Sequence, residues 1–449
     1  MSRSSARRAG RGTFMSIAMF GFRYAAMGLA VVLVALHGVA SGADLVTVKL
    51  TEPPYGTTAL RAGNYGDMPR PDNEIAALFM GAIKDRVDGR MSRSVQRARS
   101  CYERTRDDPK LLVGVGAACQ ELVIGARYVD GDLVAWANEA LALQDQLQEV
   151  ISPQFGGRRI EVSNYSGVDL NAIAGSGLSA DVDARGAPDG VTLPRGAPMN
   201  DGPMPGDFPL VVQIRVNGVR VPARVDTGSS SSTLSAELAG VLDLPVVTSQ
   251  FVPVVNPRGG DLIPSSLVRV DDLELEGIHV RNVGLLVSDV LPNIIGLDLI
   301  RKLSPVLFSE GSVSFMKRNV SCEPAKAVYS SGWIGDLALF AVLEIDGKSE
   351  RVHVDTGAAV SVAARPEKGA GAGEEAQWSA VDAGGAFTTP YKSKTFRVGN
   401  VAVPGQVWTK YPLPVPYRIG SGIFATYDLW VDALNMKVCL IDKHAGRKP

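Results

Sequence analysis

Apolar and polar residues follow two different periods along the chain. Within 73–152, apolar side chains recur at helical spacing, as at Ile75, Phe79 and Ile83. This is the period of helices that bury one face. Within 208–442, Val, Leu and Ile alternate with polar residues over short runs that end at Gly, Asn or Asp, which is typical of strands. The pattern therefore predicts a mainly β protein preceded by a small α-helical domain of four helices.

Two other segments show no sustained period. Residues 44–72 are rich in Gly, Pro and Asp, and we interpret them as irregular. Residues 153–206 have a similar composition, which cannot bury enough apolar surface to order itself. We interpret 153–206 as a Gly/Pro-rich interdomain linker, with a cleavable pro-segment as the alternative.

The N-terminal segment 1–43 has the features of a targeting sequence. It contains no acidic residue, and five arginines precede or begin an apolar run at 24–40. Small residues at 41–43 provide a cleavage site after that run. We expect an exported protein, periplasmic or secreted. The alternative is an uncleaved anchor, in which 24–40 holds the protein in the inner membrane.

Charge and histidine content exclude several classes of function. The chain has 46 Lys and Arg against 47 Asp and Glu, so no basic field predicts nucleic-acid binding. It has four histidines, and no His-Glu-x-x-His, Gly-x-Ser-x-Gly or nucleotide-binding glycine motif is present. We therefore predict no metal and no cofactor. Membrane contact is expected only through the N-terminal segment, if it is uncleaved.

The four cysteines fit an oxidising compartment. They are Cys101, Cys119, Cys322 and Cys439, too widely spaced for a Cys-x-x-Cys metal site. Of the three possible connectivities we favour Cys101–Cys119 and Cys322–Cys439, because each pair falls within one region. The alternative is four buried free thiols.

The β region contains one tripeptide twice. Asp226-Thr227-Gly228 is repeated as Asp355-Thr356-Gly357, 129 residues later (355 − 226). Eight residues before each acid stands a glycine, in Asn217-Gly218 and in Asp346-Gly347, and both dipeptides are strong hairpin signals. Each acid is therefore expected to follow a β-hairpin.

Further features recur in the same order after each acid. A glycine pair in a polar break is followed by Ile-Ile-Gly or Arg-Ile-Gly, and each half then closes with a strand. We conclude that 207–321 and 337–442 are two copies of one all-β lobe. The recurring features are Gly259-Gly260 and Gly384-Gly385, Ile294-Ile295-Gly296 and Arg418-Ile419-Gly420, and the closing strands 312–315 and 437–440.

This arrangement resembles the retropepsin-like aspartic proteases, with two lobes fused in one chain as in pepsin-type enzymes. The resemblance implies two tandem β-barrel lobes and a single-chain enzyme that needs no dimer. It implies that Asp226 and Asp355 are the catalytic residues of an endopeptidase acting on a protein or peptide substrate. It also implies residues that support the active-site loops and residues of flaps that cover the substrate. The supporting loop residues are Thr227, Gly228, Thr356 and Gly357, and the flap residues are Gly259, Gly260, Gly384 and Gly385.

Two carboxylates suit peptide hydrolysis because a base must activate water while an acid protonates the substrate. Neighbouring carboxyls share one proton, and aspartic proteases are the standard example of this behaviour. Three charged residues depart from the family pattern: Arg224, His353 and Arg418. The alternative function is therefore a non-catalytic module that binds a peptide or partner on a protease-like fold. The helical domain is expected to recruit a protein partner or to act as a pro-segment.

Overall fold

The computed structural model describes most of the chain from residue 71 onward. All structural statements below concern these residues. The described residues are 35–36, 45–49, 71, 73–162, 165, 167–196, 210–249, 254–255, 262–263, 265–318, 320, 325–331, 337–366, 376–382, 385–408, 413, 416–435 and 437–444.

The helical region begins where the sequence predicts. The Asn73 side chain caps the first helix by accepting a hydrogen bond from Ala76 N at 2.9 Å. The predicted Cys101–Cys119 disulfide joins the second helix to the fourth, with a Cα–Cα distance of 6.0 Å. The helices are α1 (Glu74–Val87), α2 (Met91–Glu103), α3 (Pro109–Leu111), which continues through a π-helical turn (Leu112–Gly116), α4 (Ala117–Val129) and α5 (Leu133–Ile151).

Among the described residues, one helical segment, Pro109–Val129, is long and apolar enough to cross a membrane, although its backbone is kinked at Gly114. Most of its apolar stretch, 72%, is buried inside the protein. It therefore has the character of a core helix of the helical region. The anchor proposed from the sequence, 24–40, lies outside the described residues except for Ala35–Leu36.

Short strands and one helix occur where the sequence predicts irregular chain. Leu45–Lys49 pairs with Ala35–Leu36 and with Arg159–Val162, so part of the segment 44–72 is extended. The predicted linker 153–206 also contains regular structure within 159–194. These elements are β1 (Ala35–Leu36), β2 (Leu45–Lys49), β3 (Arg159–Val162), α6 (Leu170–Ala174), β4 (Asp181–Asp183) and β5 (Val191–Pro194).

Lobe 1 is a closed ring of six strands in the order β6-β7-β14-β8-β13-β12, closed by pairing of β12 with β6. The Asn217-Gly218 turn joins β6 to β7 with positive φ at both residues, as the hairpin motif predicts. The elements are β6 (Val211–Val216), β7 (Val219–Val225), β8 (Thr233–Ser235), α7 (Ala236–Val241), β9 (Val246–Thr248), β10 (Val254–Val255), β11 (Leu262–Ile263), β12 (Ser266–Leu275), β13 (Ile278–Ser288), β14 (Ile294–Ile295) and α8 (Leu297–Lys302).

Three strands follow lobe 1 along the chain before lobe 2 begins. Lobe 2 then repeats the ring in the order β18-β19-β24-β20-β23-β22, closed by pairing of β22 with β18. The same six strands thus occur in the same order, and the internal repeat is confirmed. The elements are β15 (Val306–Ser309), β16 (Ser312–Phe315), β17 (Ala325–Ser331), β18 (Leu337–Ile345), β19 (Lys348–Val354), β20 (Val362–Ala364), β21 (Ala376–Asp382), β22 (Gly385–Val398), β23 (Val401–Trp408), β24 (Tyr417–Ile419), β25 (Tyr427–Asp432) and β26 (Lys437–Asp442).

The closing strands of the two halves meet in a third, shared layer. Its strands run in the order β17-β26-β25-β15-β16-β5, and β15 from the first half pairs with β25 from the second. The expectation that 312–315 and 437–440 belong to separate lobes is therefore wrong. Cys439 is buried in β26 and is disulfide-bonded, while Cys322, its predicted partner, lies outside the described residues.

The predicted linker also completes these sheets. β4 pairs with β13 of lobe 1, and β5 pairs with β16 of the shared sheet. Buried side chains of both lobes and the shared sheet form one apolar core, whereas the helical region packs on lobe 1 through Leu267 and Leu286. The segment 153–206 is thus not a free linker, and a fragment 207–449 would lose two paired strands.

Candidate active site

The two repeated acids occupy equivalent positions in the two rings. Asp226 directly follows β7 and Asp355 directly follows β19. Each backbone N–H donates to the parallel neighbouring strand: Asp226 N to Ile295 O at 3.0 Å, and Asp355 N to Ile419 O at 2.9 Å. The isoleucine of each Ile-Gly motif thus fixes the point where the acid leaves its sheet.

The two threonines join the loops across the lobe boundary. Thr227 Oγ1 donates to Val354 O at 2.8 Å and accepts from Thr356 N at 3.0 Å. Thr356 Oγ1 donates to Val225 O at 2.9 Å and accepts from Thr227 N at 3.0 Å. Both threonines are buried. Four reciprocal hydrogen bonds therefore hold the loops in one arrangement, as the resemblance implies.

The glycine after each threonine brings the opposite carboxylate close. A Cβ atom on Gly228 would clash with the carboxylate of Asp355, and one on Gly357 would clash with that of Asp226. Any larger residue would force the loops apart. The predicted site residues of the two loops therefore lie together, with the two carboxylates facing each other.

Asp226 is partly buried and accepts two backbone hydrogen bonds. Its Oδ1 accepts from Gly228 N at 2.7 Å and from Gly357 N at 3.1 Å. Burial, followed by the charge of Asp355, raises the pKa of Asp226 to about 7. The two N–H groups and the positive charge of Arg224 act in the opposite direction. A carboxyl with this pKa is protonated at mildly acidic pH and can donate a proton.

Asp355 has a different set of partners. Its Oδ1 accepts from Ala358 N at 3.1 Å, and Arg418 Nη1 lies 3.1 Å from its Oδ2. The sequence singled out Arg418 as a charged residue at an apolar position of the repeat, but gave it no role. His353, which pairs with Arg418 across the two strands, is buried, and its ring centre lies 5.3 Å from that of Phe340.

The loops are supported differently in the two lobes. In lobe 1 the Asp298 carboxylate accepts from Ser232 N at 2.9 Å and from Ser232 Oγ at 2.5 Å. Burial raises the pKa of Asp298. In lobe 2 the corresponding residue is Gly422, where a Cβ would clash with Ser361. Asp298 was missed as a supporting residue, although its occurrence in only one half of the repeat was a signal of asymmetry.

The predicted flaps are described in part. β10 and β11 pair as an antiparallel stem in lobe 1, but Gly259 and Gly260 lie outside the described residues. In lobe 2, β21 and β22 pair up to the Asp382–Gly385 partners, and Gly384 lies outside the described residues. In sequence, Gly259-Gly260 falls between the two strands of the lobe 1 stem, and Gly384-Gly385 falls where β22 begins.

An open cavity of about 420 Å³ adjoins the lobe 2 loop. Its walls come from the segment after Gly357 and from β22 and β23. Its lining includes both polar and apolar side chains, among them Val360, Ser361, Tyr391 and Gln406. Among the residues that the structure describes, no three His, Cys, Asp or Glu side chains are placed to hold a metal ion.

The helical region touches the lobe 1 loop. Tyr128 Oη and Ser231 Oγ are 3.3 Å apart. Arg301 of α8 donates to Val129 O at 3.0 Å and contacts Asp130 Oδ1 at 2.6 Å. Helical region and protease-like lobe are therefore packed as a unit at this point.

A family model described as aspartyl protease matches residues 212–299, which span β7, the Asp226 loop and the Ile-Ile-Gly motif. The matched stretch of lobe 1 is thus similar to aspartyl proteases, and it makes up less than half of the chain. The second lobe has the same ring of strands and the same acid loop, so the bilobal resemblance inferred from the sequence is confirmed. No curated protein matches the chain.

Solved structures similar to this chain include proteins with one lobe and with two. The retropepsin-like aspartic protease from Rickettsia conorii is 17% identical, covers 30% of this chain and 92% of its own, and has a TM-score of 0.22. The aspartic proteinase from Irpex lacteus is 13% identical, with 56% and 97% covered and a TM-score of 0.33. Basic 7S globulin from soybean is 12% identical, with 57% and 96% covered and a TM-score of 0.35. At these values the similarities assign no function.

Proposed function

We propose that the protein is an aspartic endopeptidase in which Asp226 and Asp355 activate one water molecule between them. The observation that carries this proposal is the reciprocal bonding of Thr227 and Thr356, which holds two carboxylates face to face at the junction of the lobes. Rigid positioning of the acid and the base is what the reaction requires.

The reaction needs one proton on the pair. One carboxylate takes a proton from water while the water oxygen bonds to the peptide carbon, and the other carboxyl protonates the carbonyl oxygen. The C–N bond then breaks, the nitrogen takes the first proton, and one hydroxyl of the intermediate returns the second proton to the pair. The elevated pKa of Asp226, about 7, supports a single shared proton at mildly acidic pH.

The substrate would be an extended peptide. The hairpin stems β10–β11 and β21–β22 lie in the chain where flaps are expected, and the cavity lined by Val360 and Ser361 offers a place for side chains. Extended peptides bind such sites through main-chain hydrogen bonds, with alternate side chains in pockets. Because one chain supplies both acids, a dimer is not required.

Export is a further part of the proposal. The Cys101–Cys119 disulfide supports an oxidising compartment, and the basic, acid-free segment 1–43 supplies a signal. Fractionation of cells that express the full chain should place it outside the cytoplasm. Mass spectrometry of its N-terminus would then separate cleavage after 43 from a retained anchor at 24–40.

A second candidate is a peptide-binding module without catalysis. The observation that favours it is the ion pair between Arg418 and Asp355, because a cation on a reacting carboxylate competes with the water that must bind there. Such a protein would keep the cleft and lose hydrolysis.

The test is cleavage of a denatured protein by the full chain, scanned from acid to neutral pH. Asp226→Asn and Asp355→Asn should each abolish cleavage while circular dichroism remains that of the wild type. Asp289→Asn, at an exposed position of lobe 1, is the matched control and should cleave normally. A folded wild-type protein that binds peptides and cleaves none at any pH would refute the proposal in favour of the binding module.

A further inference from the structure

The two halves of the site differ in the charges that flank the carboxylates. In lobe 2, Arg418 of β24 pairs with His353 of β19 in the sheet. The equivalent of Arg418 in lobe 1 is Ile294 of β14, which pairs with Arg224 of β7. The arginine therefore stands on β24 in lobe 2, on the strand beside the one that leads to the acid. In lobe 1 it stands on β7, the strand that leads to the acid itself. Only the lobe 2 arginine forms an ion pair with a carboxylate of the active site, within the part of the chain that the structure describes.

The Arg418 side chain is held on two sides. Its Nη1 lies 3.1 Å from Asp355 Oδ2, and the two side chains are 13% and 12% exposed. Its guanidinium carbon lies 5.5 Å from the centre of the Trp408 ring, a cation–π distance. Trp408 is itself buried, and its Nε1 donates to Gln406 Oε1 at 2.7 Å. A pair this far from solvent is weakly screened by salt.

We propose that Arg418 is a positioning residue that keeps the negative charge of the pair on Asp355 and so places the shared proton on Asp226. Its catalytic consequence rests on the proposed function, whereas the charge distribution itself can be measured without it. The contacts on the two sides agree with this assignment, because Asp355 faces the Arg418 cation while Asp226 faces the charge of Asp355.

The assignment fixes the role of each carboxyl. Asp355 takes the proton from water as the oxygen–carbon bond forms, and Asp226 gives its proton to the carbonyl oxygen. When the C–N bond breaks, Asp355 returns its proton to the nitrogen and a hydroxyl of the intermediate reprotonates Asp226. The pair ends in its starting state, with no other reactant required. The two lobes therefore perform different steps although their loops share the tripeptide Asp-Thr-Gly.

Other charged and titratable groups stand on the strands behind the pair, each in a different setting. Arg224 on β7 acts on Asp226 from a distance and is a smaller influence than burial or Asp355. His353 on β19 packs against Phe340, with ring centres 5.3 Å apart. Arg351 on the same strand lies over that ring at 4.7 Å.

The test is a titration of the full-length protein labelled with ¹³C at the aspartate Cγ atoms, followed by NMR. Asp226→Asn and Asp355→Asn assign the two resonances. At about pH 5, between the two steps of a coupled pair, Asp226 should resonate as a carboxyl and Asp355 as a carboxylate. The proposal is overturned if the proton is found on Asp355.

Substitutions of Arg418 test the cause of this distribution. Arg418→Ile copies lobe 1 and should move both titration steps of the pair upward by about one to three pH units, since an opposite charge is lost. Arg418→Lys keeps the charge and should remain nearer the wild type. Arg397→Ile removes the same charge from an exposed position of lobe 2 and should change nothing. An Arg418→Ile titration that coincides with the wild type would overturn the proposal.

The pH profile of kcat/KM separates this inference from the proposed function. In Arg418→Ile, the midpoint of the acidic limb should move to higher pH together with the lower titration step of the pair. Cleavage with an unshifted limb would refute the role of Arg418 and leave the protease standing. A protein that cleaves nothing but shows the expected titrations would refute the protease function and leave the role of Arg418 standing. If Arg418→Ile does not fold, the wild-type assignment and Arg418→Lys still decide the question.

Discussion

Replacing Thr227 by Val tests whether the cross-lobe hydrogen bonds hold the site together. Valine has nearly the same shape as threonine, but it cannot donate to Val354 O or accept from Thr356 N. Both partners stay buried at the lobe junction when the hydroxyl is removed. The substitution therefore removes two hydrogen bonds and leaves a carbonyl and an N–H group without them.

The expected cost follows from these two partners. An unsatisfied buried polar group costs about 1–3 kcal/mol, so Thr227→Val should lose roughly 2–6 kcal/mol of unfolding free energy. Thr227→Ser keeps the oxygen and loses one methyl group, worth about 1 kcal/mol. The valine variant should thus be less stable than the serine variant, although valine fills the space better and is more apolar.

The assay is the denaturation midpoint of each full-length variant, followed by kcat/KM on a peptide. The matched control is Thr389→Val in lobe 2. The Thr389 hydroxyl is buried and has no hydrogen-bond partner among the described residues, so its loss should be neutral or stabilising. The reasoning fails if Thr227→Val is as stable as Thr227→Ser, or if Thr389→Val is equally damaging.

Three further variants test the pH dependence of stability, a supporting contact of the lobe 1 loop and the disulfide. Burial raises the pKa of Asp226 to about 7, so the fold binds this proton more tightly than the unfolded chain, and the stabilisation present at low pH is lost as pH rises through 7. Asp226→Asn should therefore be more stable than the wild type at pH 8 and lose that advantage near pH 4; a pH-independent difference in thermal midpoints would contradict this. Asp298→Ala leaves the buried Ser232 hydroxyl without its acceptor and should cost about 1–3 kcal/mol and lower kcat/KM, whereas unchanged midpoint and activity would show that the contact is dispensable. Replacing Cys101 and Cys119 by Ser opens a loop of 18 residues and should cost about 3 kcal/mol of unfolding free energy relative to the oxidised wild-type protein, and equal stability of the two proteins would contradict this.

The sequence was most informative where the relevant residues lie close together along the chain. The acid loops, the Asn217-Gly218 hairpin and the order of strands in each half all follow from local motifs, and comparing the two halves located Arg418 as an exception. Its contact with Asp355 could not be predicted, because it depends on which way the side chain leaves β24. Asp355 and Arg418 are 63 residues apart (418 − 355).

Pairings between distant, short strands were not predictable. β4 has three residues and pairs with β13, about 100 residues later, while β5 pairs with β16 more than 100 residues later. Both strands lie in a Gly- and Pro-rich segment, where strand propensity is low. Their pairing is determined by the exposed edges of sheets that form elsewhere in the chain, which a local pattern does not reveal. The same cause explains why β15 and β16 were assigned to lobe 1 rather than to the shared sheet.

The central claim is that one carboxylate from each lobe acts as a single catalytic unit. It is tested most directly by kcat/KM for Asp226→Asn, Asp355→Asn and the double variant on one peptide substrate. Residues that act as a unit give strongly non-additive losses. The double variant should therefore be no more than about threefold worse than either single variant. Losses that multiply, or a single variant that retains wild-type activity, would contradict the claim.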